Sequence, residues 1–260
     1  MKDFETIKYE LSDQVCSITL NRPDLHNAMN RVLLDELRDA FDSIERGEVR
    51  AVVLAGEGKS FSAGADVNWM RASLDFSHEE NVADALALAH TFDTINSCPV
   101  PVIARIQGAA LGGGVGLAAV ADIVVAADNA RFAFSEAKLG IAPAVISPYV
   151  LAKIGRSHAR ALFFTAERFG AERALAIGLV HVVVPHDQLD AEVDRIVTEL
   201  KSSAPAAIAR AKMLIATVPN LAAHEAMQFT AETIAALRVS PEGQEGLRAF
   251  LEKRRASWAE

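Results

Sequence analysis

The sequence predicts an α/β core carrying a helical appendage. Three observations lead there: strand-like and helix-like segments alternate over the first 185 residues, residues 187–256 read as helix throughout, and a strand runs into a glycine-rich loop that opens an Ala-rich helix mid-chain. The core is placed at residues 1–200 and the C-terminal helical region at 201–260.

Taking the elements in order, Ile7–Glu10 and Val15–Leu20 read as two strands joined at Ser12-Asp13, and Asn21-Arg22-Pro23-Asp24 as a turn. Asn30 is placed to cap a helix to about Glu45, with Val32, Leu33, Leu37, Ala40, Phe41 and Ile44 at helical spacing. Ala51–Ala55 is a short apolar strand ended by Gly56-Glu57-Gly58, and Glu80–Asn96 a second amphipathic helix. Strands follow at Val102–Ile106, Ile123–Ala127 and Arg131–Phe134, with the glycine loop and its helix between the first two. Helices are expected over about 147–154, 157–166 and 171–177, the last ended by Gly178, then a strand at Val180–Val184 closed by Pro185. In the tail Pro205, Pro219 and Pro241 mark three helix starts, because proline suits the first turn.

A chain of 260 residues with 51% hydrophobic and 6% aromatic content can build a large, aliphatic core. The net charge of −8 and the lack of a basic run argue against nucleic acid as a partner. Cys16 and Cys98 lie far apart with no metal or redox spacing, so a reducing compartment is expected. The polar N-terminus lacks a signal-peptide core, and the longest apolar run, Val115 to Ala127, is broken by Asp122. These point to a cytoplasmic protein with no membrane segment; no metal site is expected.

The chemistry centres on Ala109 to Gly116, Phe61 to Asp66, and Glu136. Gly112-Gly113-Gly114 at a helix start leaves the first amides bare, and those amides together with the helix dipole favour negative charge. Phe61-Ser62-Ala63-Gly64-Ala65-Asp66 is a second loop of small residues after an apolar strand. Two such loops can aim two N–H donors at one oxygen, the form of an oxyanion hole. Glu136, flanked by Phe134, Ala137 and Leu139, sits where apolar surroundings raise a carboxyl pKa toward neutrality.

The same residues resemble the enoyl-CoA hydratase/isomerase family, the crotonase superfamily. The resemblance runs along nearly the whole chain. It rests on Asn21-Arg22-Pro23 with Asn27-Ala28-Met29, Phe61 to Asp66, Gly108 to Gly114, Ala121-Asp122-Ile123, Phe134-Ser135-Glu136 with Leu139 to Pro143, and Phe250 to Arg254. It implies ββα units wound into a spiral, a C-terminal helical region that mediates trimers often stacked as hexamers, and acyl-CoA thioester substrates with no cofactor beyond the coenzyme A of the substrate. By position, the oxyanion donors fall on Ala65 and Gly113 and the acid/base on Glu136. Ala63, Asp66, Val67, Trp69, Leu25, Gly112 and Gly116 are expected to bind substrate or CoA, with Phe250 and Lys253 reaching the CoA of a neighbouring subunit. Arg22 is a candidate for charge near the phosphates, and Asp24 stands where many members carry Lys.

The family's hydratases place two glutamates across the acyl chain, and here Gly116 replaces one of them. Glu136 alone must then handle water and proton, or the substrate's own carboxylate fills the space at Gly116. The second idea, with Gly-Gly-Gly-Val-Gly and Ala142 to Val150, resembles the bacterial branch for 3-methylglutaconyl-CoA hydration in leucine breakdown and the related carboxygeranoyl-CoA hydratases. A Δ3,Δ2-enoyl-CoA isomerase, for which one glutamate suffices, stays open, as does a non-catalytic CoA- or RNA-binding scaffold.

Plainer readings stand beside these. The glycines can be a close-packing turn, and Gly114 to Ala119 fits a dinucleotide pattern that Asp128 follows too closely to complete. Asp66 reads better as a turn or helix cap than as a reactive group, and Trp69 and Met70 fit core as well as pocket. Ser60 and Ser62 lie in no nucleophile-elbow context.

Overall fold

The computed structural model describes residues 4–259. The strands are β1 (Ile7–Ser12), β2 (Val15–Leu20), β3 (Ala51–Gly56), β4 (Val102–Ile106), β5 (Ala109–Leu111), β6 (Ile123–Ala127), β7 (Arg131–Ala133), β8 (Phe169–Gly170) and β9 (Val182–Val184). The helices are α1 (Arg31–Asp42), α2 (Val67–Ala72), α3 (His78–Asn96), α4 (Gly113–Val120), α5 (Ser147–Thr165), α6 (Ala171–Ala176), α7 (Leu189–Ser202), α8 (Pro205–Thr217), α9 (Ala223–Val239) and α10 (Pro241–Glu252).

The strands form two sheets. The larger has the order β1-β2-β3-β4-β6-β9, antiparallel at β1/β2 and parallel elsewhere. Asp13 and Gln14, both at positive φ, make its hairpin turn. In β2, Cys16, Ile18 and Leu20 face inward and Ser17 and Thr19 outward, the alternation of a half-buried strand. β4 and β6 are apolar almost throughout because both faces are covered, with α7 packed on the outer one.

The smaller sheet, β5-β7-β8, lies one step further along the chain from the larger in each turn. Two single bridges extend it, Met29 with Ala65 and Ser62 with Ala110, both parallel. Each winding therefore runs from a long strand to a short second-layer stretch to a helix. β3 leads to 62–65 and α2, β4 to β5 and α4, and β6 to β7 and α5. This is the spiral of ββα units that the resemblance implies.

Local chemistry accounts for the helices. The Asn30 side chain accepts from the Leu33 amide at 3.0 Å, and Leu33, Leu34, Leu37, Ala40 and Phe41 bury one face of α1. Ser77 and Glu80 form a capping box that starts α3 two residues before the predicted Glu80. The two helices expected over 147–166 are halves of α5, broken at Gly155 (φ 68°, ψ 166°), a conformation suited to glycine. β5, β8 and α2 are too short for periodicity to reveal. Pro205 and Pro241 open α8 and α10 as predicted, but Pro219 does not open a helix. It lies in a 3-10 turn, Val218–Asn220, and α9 starts at Ala223 with Glu225 accepting from the Ala222 amide. Among the described residues no helix is long and apolar enough to cross a membrane.

Candidate active site

The three central predicted residues, Ala65, Gly113 and Glu136, come together in one cavity of about 220 Å³, lined also by Met29, Trp69, Leu88 and the stretch Ile141 to Ile146. Their meeting follows from the spiral. Ala65 ends the second-layer stretch of one winding, Gly113 lies just past that of the next, and Glu136 just past that of the third.

Ala65 presents its amide because of the bridge it makes. The Met29 amide donates to Gly64 O (2.7 Å), and the Asp66 amide donates to Met29 O (2.8 Å). In that parallel pattern the peptides flanking Ala65 are consumed and its own N–H points to the opposite side. That N–H has no acceptor among the described residues. Asp66 locks the turn. Its carboxylate accepts from the Asn68 amide (2.8 Å) as the N-cap of α2 and from Arg22 Nη2 (2.8 Å). Burial raises the Asp66 pKa, but Arg22 and the amides of Asn68 and Trp69 outweigh it and hold the carboxyl below its usual range.

Gly113 is the first residue of α4, so its amide lacks an intrahelical partner. Gly112 aims it. At φ 49°, ψ −118° Gly112 adopts a backbone that other residues rarely hold, with its own N–H donating to Ala133 O (2.9 Å). A Cβ on Gly112 would sit 3.4 Å from Glu136 Oε1, so the carboxyl lies directly over the turn. Glu136 stands at the start of a 3-10 turn that follows β7. Phe132 and Phe134 fix that strand, stacking on Phe169 (5.6 Å) and meeting Phe163 edge-on (4.9 Å). Glu136 Oε2 is buried without a partner, and burial pushes the carboxyl above the usual range. Two bare amides and one unpaired carboxyl thus face a common space walled by apolar side chains. That arrangement can hold an oxyanion and move a proton at a carbon next to it.

Gly116 does not line this cavity. It is buried in α4, where a Cβ would overlap Ile146 Cγ2 and come 2.8 Å from Phe92 Cζ. The space expected there for water or a substrate carboxylate is filled by those two side chains. Arg22 points inward, to Ala28 O and Asp66, and not toward a phosphate site. Asp66 likewise turns its carboxylate away from the cavity, into that clamp. Trp69 lines the cavity and its Nε1 donates to Asp84 (3.1 Å). Gly112 adjoins Glu136, Ala63 lies in the turn before Ala65 with its amide donating to His26 O (2.9 Å), and Leu25 and Val67 are exposed. Phe250 and Lys253 lie on α10 and its C-cap, which packs on α9, and neither lines the cavity within this chain.

Met29 and Ile146 line the cavity, a place that the motifs containing them do not by themselves give. Met29 is paired with Ala65 by a bridge no local pattern reveals, and its Cε presses on Gly113. A wider groove of about 890 Å³ crosses the outer face of β1–β3 beside α7. Arg105–Asp190 and Lys201–Asp13 pair across it, and it holds neither bare amide nor Glu136. The smaller cavity is therefore the candidate site.

Comparison with known proteins agrees with the fold. The model of the enoyl-CoA hydratase/isomerase family matches residues 10–260. A crystal structure from Legionella pneumophila, assigned to the enoyl CoA hydratase/isomerase (crotonase) group, superposes with a TM-score of 0.92 at 45% identity, covering 98% of this chain and 100% of that one. An enoyl-CoA hydratase from Shewanella pealeana superposes with a TM-score of 0.94 at 39% identity, over 98% and 96%. The crotonyl-CoA hydratase of Syntrophomonas wolfei is 33% identical over 258 residues, 98% of each chain.

Proposed function

Because the chain belongs to the enoyl-CoA hydratase/isomerase family, we propose that it is a hydro-lyase adding water across the double bond of a 2-enoyl-CoA thioester. The observation that carries the reading is the convergence of the bare Ala65 and Gly113 amides with the unpaired Glu136 carboxyl. The thioester oxygen accepts from both amides. Glu136, as carboxylate, takes a proton from water while the water oxygen bonds to the β-carbon. The π electrons move onto the thioester oxygen as an enolate, held by the two N–H groups. The enolate then re-forms the carbonyl and its α-carbon takes the proton back from Glu136. One water is added and Glu136 ends as it began. Either amide is worth about 2.7–4 kcal/mol of barrier, the usual effect of losing one such donor.

Among the described residues Glu136 is the single ionisable one lining the cavity, and Phe92 and Ile146 close the place of a second. This supports a one-carboxylate mechanism, which also serves the alternative reaction, Δ3,Δ2-isomerisation by allylic proton transfer. For the substrate we favour 3-methylglutaconyl-CoA or a related branched, carboxylated enoyl-CoA. The support is the Ala142 to Val150 segment, whose first residues wall the cavity. The cavity offers no cation, so the substrate carboxylate would sit at its mouth. Assembly as a homotrimer or hexamer is supported by α8 and α9, which bury no residue within the chain, and by exposed Met227, Ile234, Val239, Phe250 and Leu251. Phe250 and Lys253 would then act on a neighbour's CoA.

Incubation in heavy-oxygen water with 2-enoyl-, 3-enoyl- and 3-methylglutaconyl-CoA, read by mass spectrometry, tests the reading. A product heavier by one labelled water is expected. An unchanged mass with a moved double bond makes the protein an isomerase, and a strong preference for crotonyl-CoA overturns the carboxylated substrate alone.

A further inference from the structure

The end of α4 opposite the oxyanion donor is tied to one side chain. Lys153, from α5, donates to Ala118 O (3.2 Å) and Ala121 O (2.6 Å), the carbonyls at the C-terminus of the helix whose first amide is Gly113. Between these two ends α4 is buried from Gly114 to Val120. Two other titratable groups face the ammonium, Asp122 and His181, with Lys212 bonded to the first. Asp122 follows α4 directly and accepts from the Val102 amide and Lys212. His181, before β9, accepts the Val124 amide on Nδ1, and Lys212 reaches in from α8. Asp122 is thus already paired with Lys212, which leaves Lys153 directed at the helix carbonyls.

We infer that Lys153 is a positioning residue for the reaction, holding α4 in place and adding its positive charge to the field at the Gly113 amide. The inference rests on the reading that this amide holds the thioester oxygen. A cation at a helix C-terminus complements the dipole whose positive end faces the oxyanion. The eight residues of α4 put the two ends about 12 Å apart at about 1.5 Å per residue. At an effective dielectric of about 20, a unit charge at that distance changes enolate stability by about tenfold in rate. Burial lowers the Lys153 pKa to about 8, so the charge is present at neutral pH and lost in mild alkali. His181 contributes no competing charge there, since burial and Lys153 keep it below its usual 6.5.

The test uses the intact protein and a chromophoric aryl-acrylyl-CoA thioester, whose absorption shifts to the red when its carbonyl is polarised. Titrated from pH 7 to 9.5, the bound red shift should shrink with a midpoint near 8, and kcat for enoyl-CoA should fall about tenfold to a plateau with KM unchanged. Lys153→Arg should keep the full shift across the range, and Lys153→Met should show the reduced shift throughout. A red shift constant with pH in the native protein overturns the role of Lys153 and leaves the oxyanion hole standing. No red shift at any pH removes the oxyanion hole and this inference with it. The native titration decides the matter even where Lys153→Met fails to fold.

Discussion

Replacing Glu136 by Gln changes one atom in the cavity and separates catalysis from folding. Among the described residues the carboxyl is the only ionisable group lining the site, and the position of a second acid is filled by Phe92 and Ile146. A positioned acid/base contributes about 10²–10⁴-fold, or about 2.7–5.4 kcal/mol. With one group serving both the water and the α-carbon, the loss should fall toward the upper end of that range. Stability should move the other way. Burial raises the folded pKa of Glu136 above its ordinary 4.5. A carboxyl of that kind favours the folded state fully only below its unfolded value, and the contribution is lost as pH rises through the folded pKa. As pH rises through the folded pKa the native protein therefore comes to hold a costly buried carboxylate that Glu136→Gln lacks. The variant should gain melting temperature relative to the native protein between pH 5 and pH 8, while consumption of enoyl-CoA, followed by thioester absorbance, falls by at least a hundredfold or so. A variant within about tenfold of native turnover would refute the single-carboxylate mechanism, and a melting difference independent of pH would refute the burial argument.

Other perturbations probe the frame. Asp66→Ala removes the α2 cap and leaves Arg22 buried without its partner, so chemical denaturation should show a loss of about 3–5 kcal/mol. Gly112→Ala forces a side chain to φ 49° over Glu136, costing about 1–3 kcal/mol and lowering kcat by re-aiming the Gly113 amide; melting and turnover check both. Gly116→Glu restores a second carboxylate in sequence but overlaps Ile146 and Phe92; it should lose about 1–3 kcal/mol, and steady-state assays should show no gain in hydration.

Much of this was open to reading from the sequence because the decisive features are local. The glycines at 112–114 announce bare amides, and Asn30, Pro205 and Pro241 announce helix starts at their observed places. The carboxyl of Glu136 among Phe134, Ala137 and Leu139 already implied a raised pKa, and burial supplies it. What stayed hidden depends on distant pairing. Arg22 is followed by a turn and looks free to meet a phosphate, yet the bridge between Met29 and Ala65 brings Asp66 to it. A glycine at 116 looks like vacant space only until Ile146 and Phe92, from two other elements, are seen to occupy it. Pro219 shows that proline marks a place where a helix can begin, while the next capping group decides where it does.

The spiral divides the labour of the site between main chain and side chain. Of the three groups to which we propose the chemistry belongs, two, the amides of Ala65 and Gly113, are present whatever residue stands there, provided the backbone keeps its path. Ordinary point substitution can exchange the third, Glu136, and the walls around it, but it cannot delete an N–H short of introducing proline. Activation of the thioester and the choice of what then happens to the activated carbon are therefore separately adjustable. The same pair of stacked turns can serve a different reaction once the acid and the wall residues are redrawn.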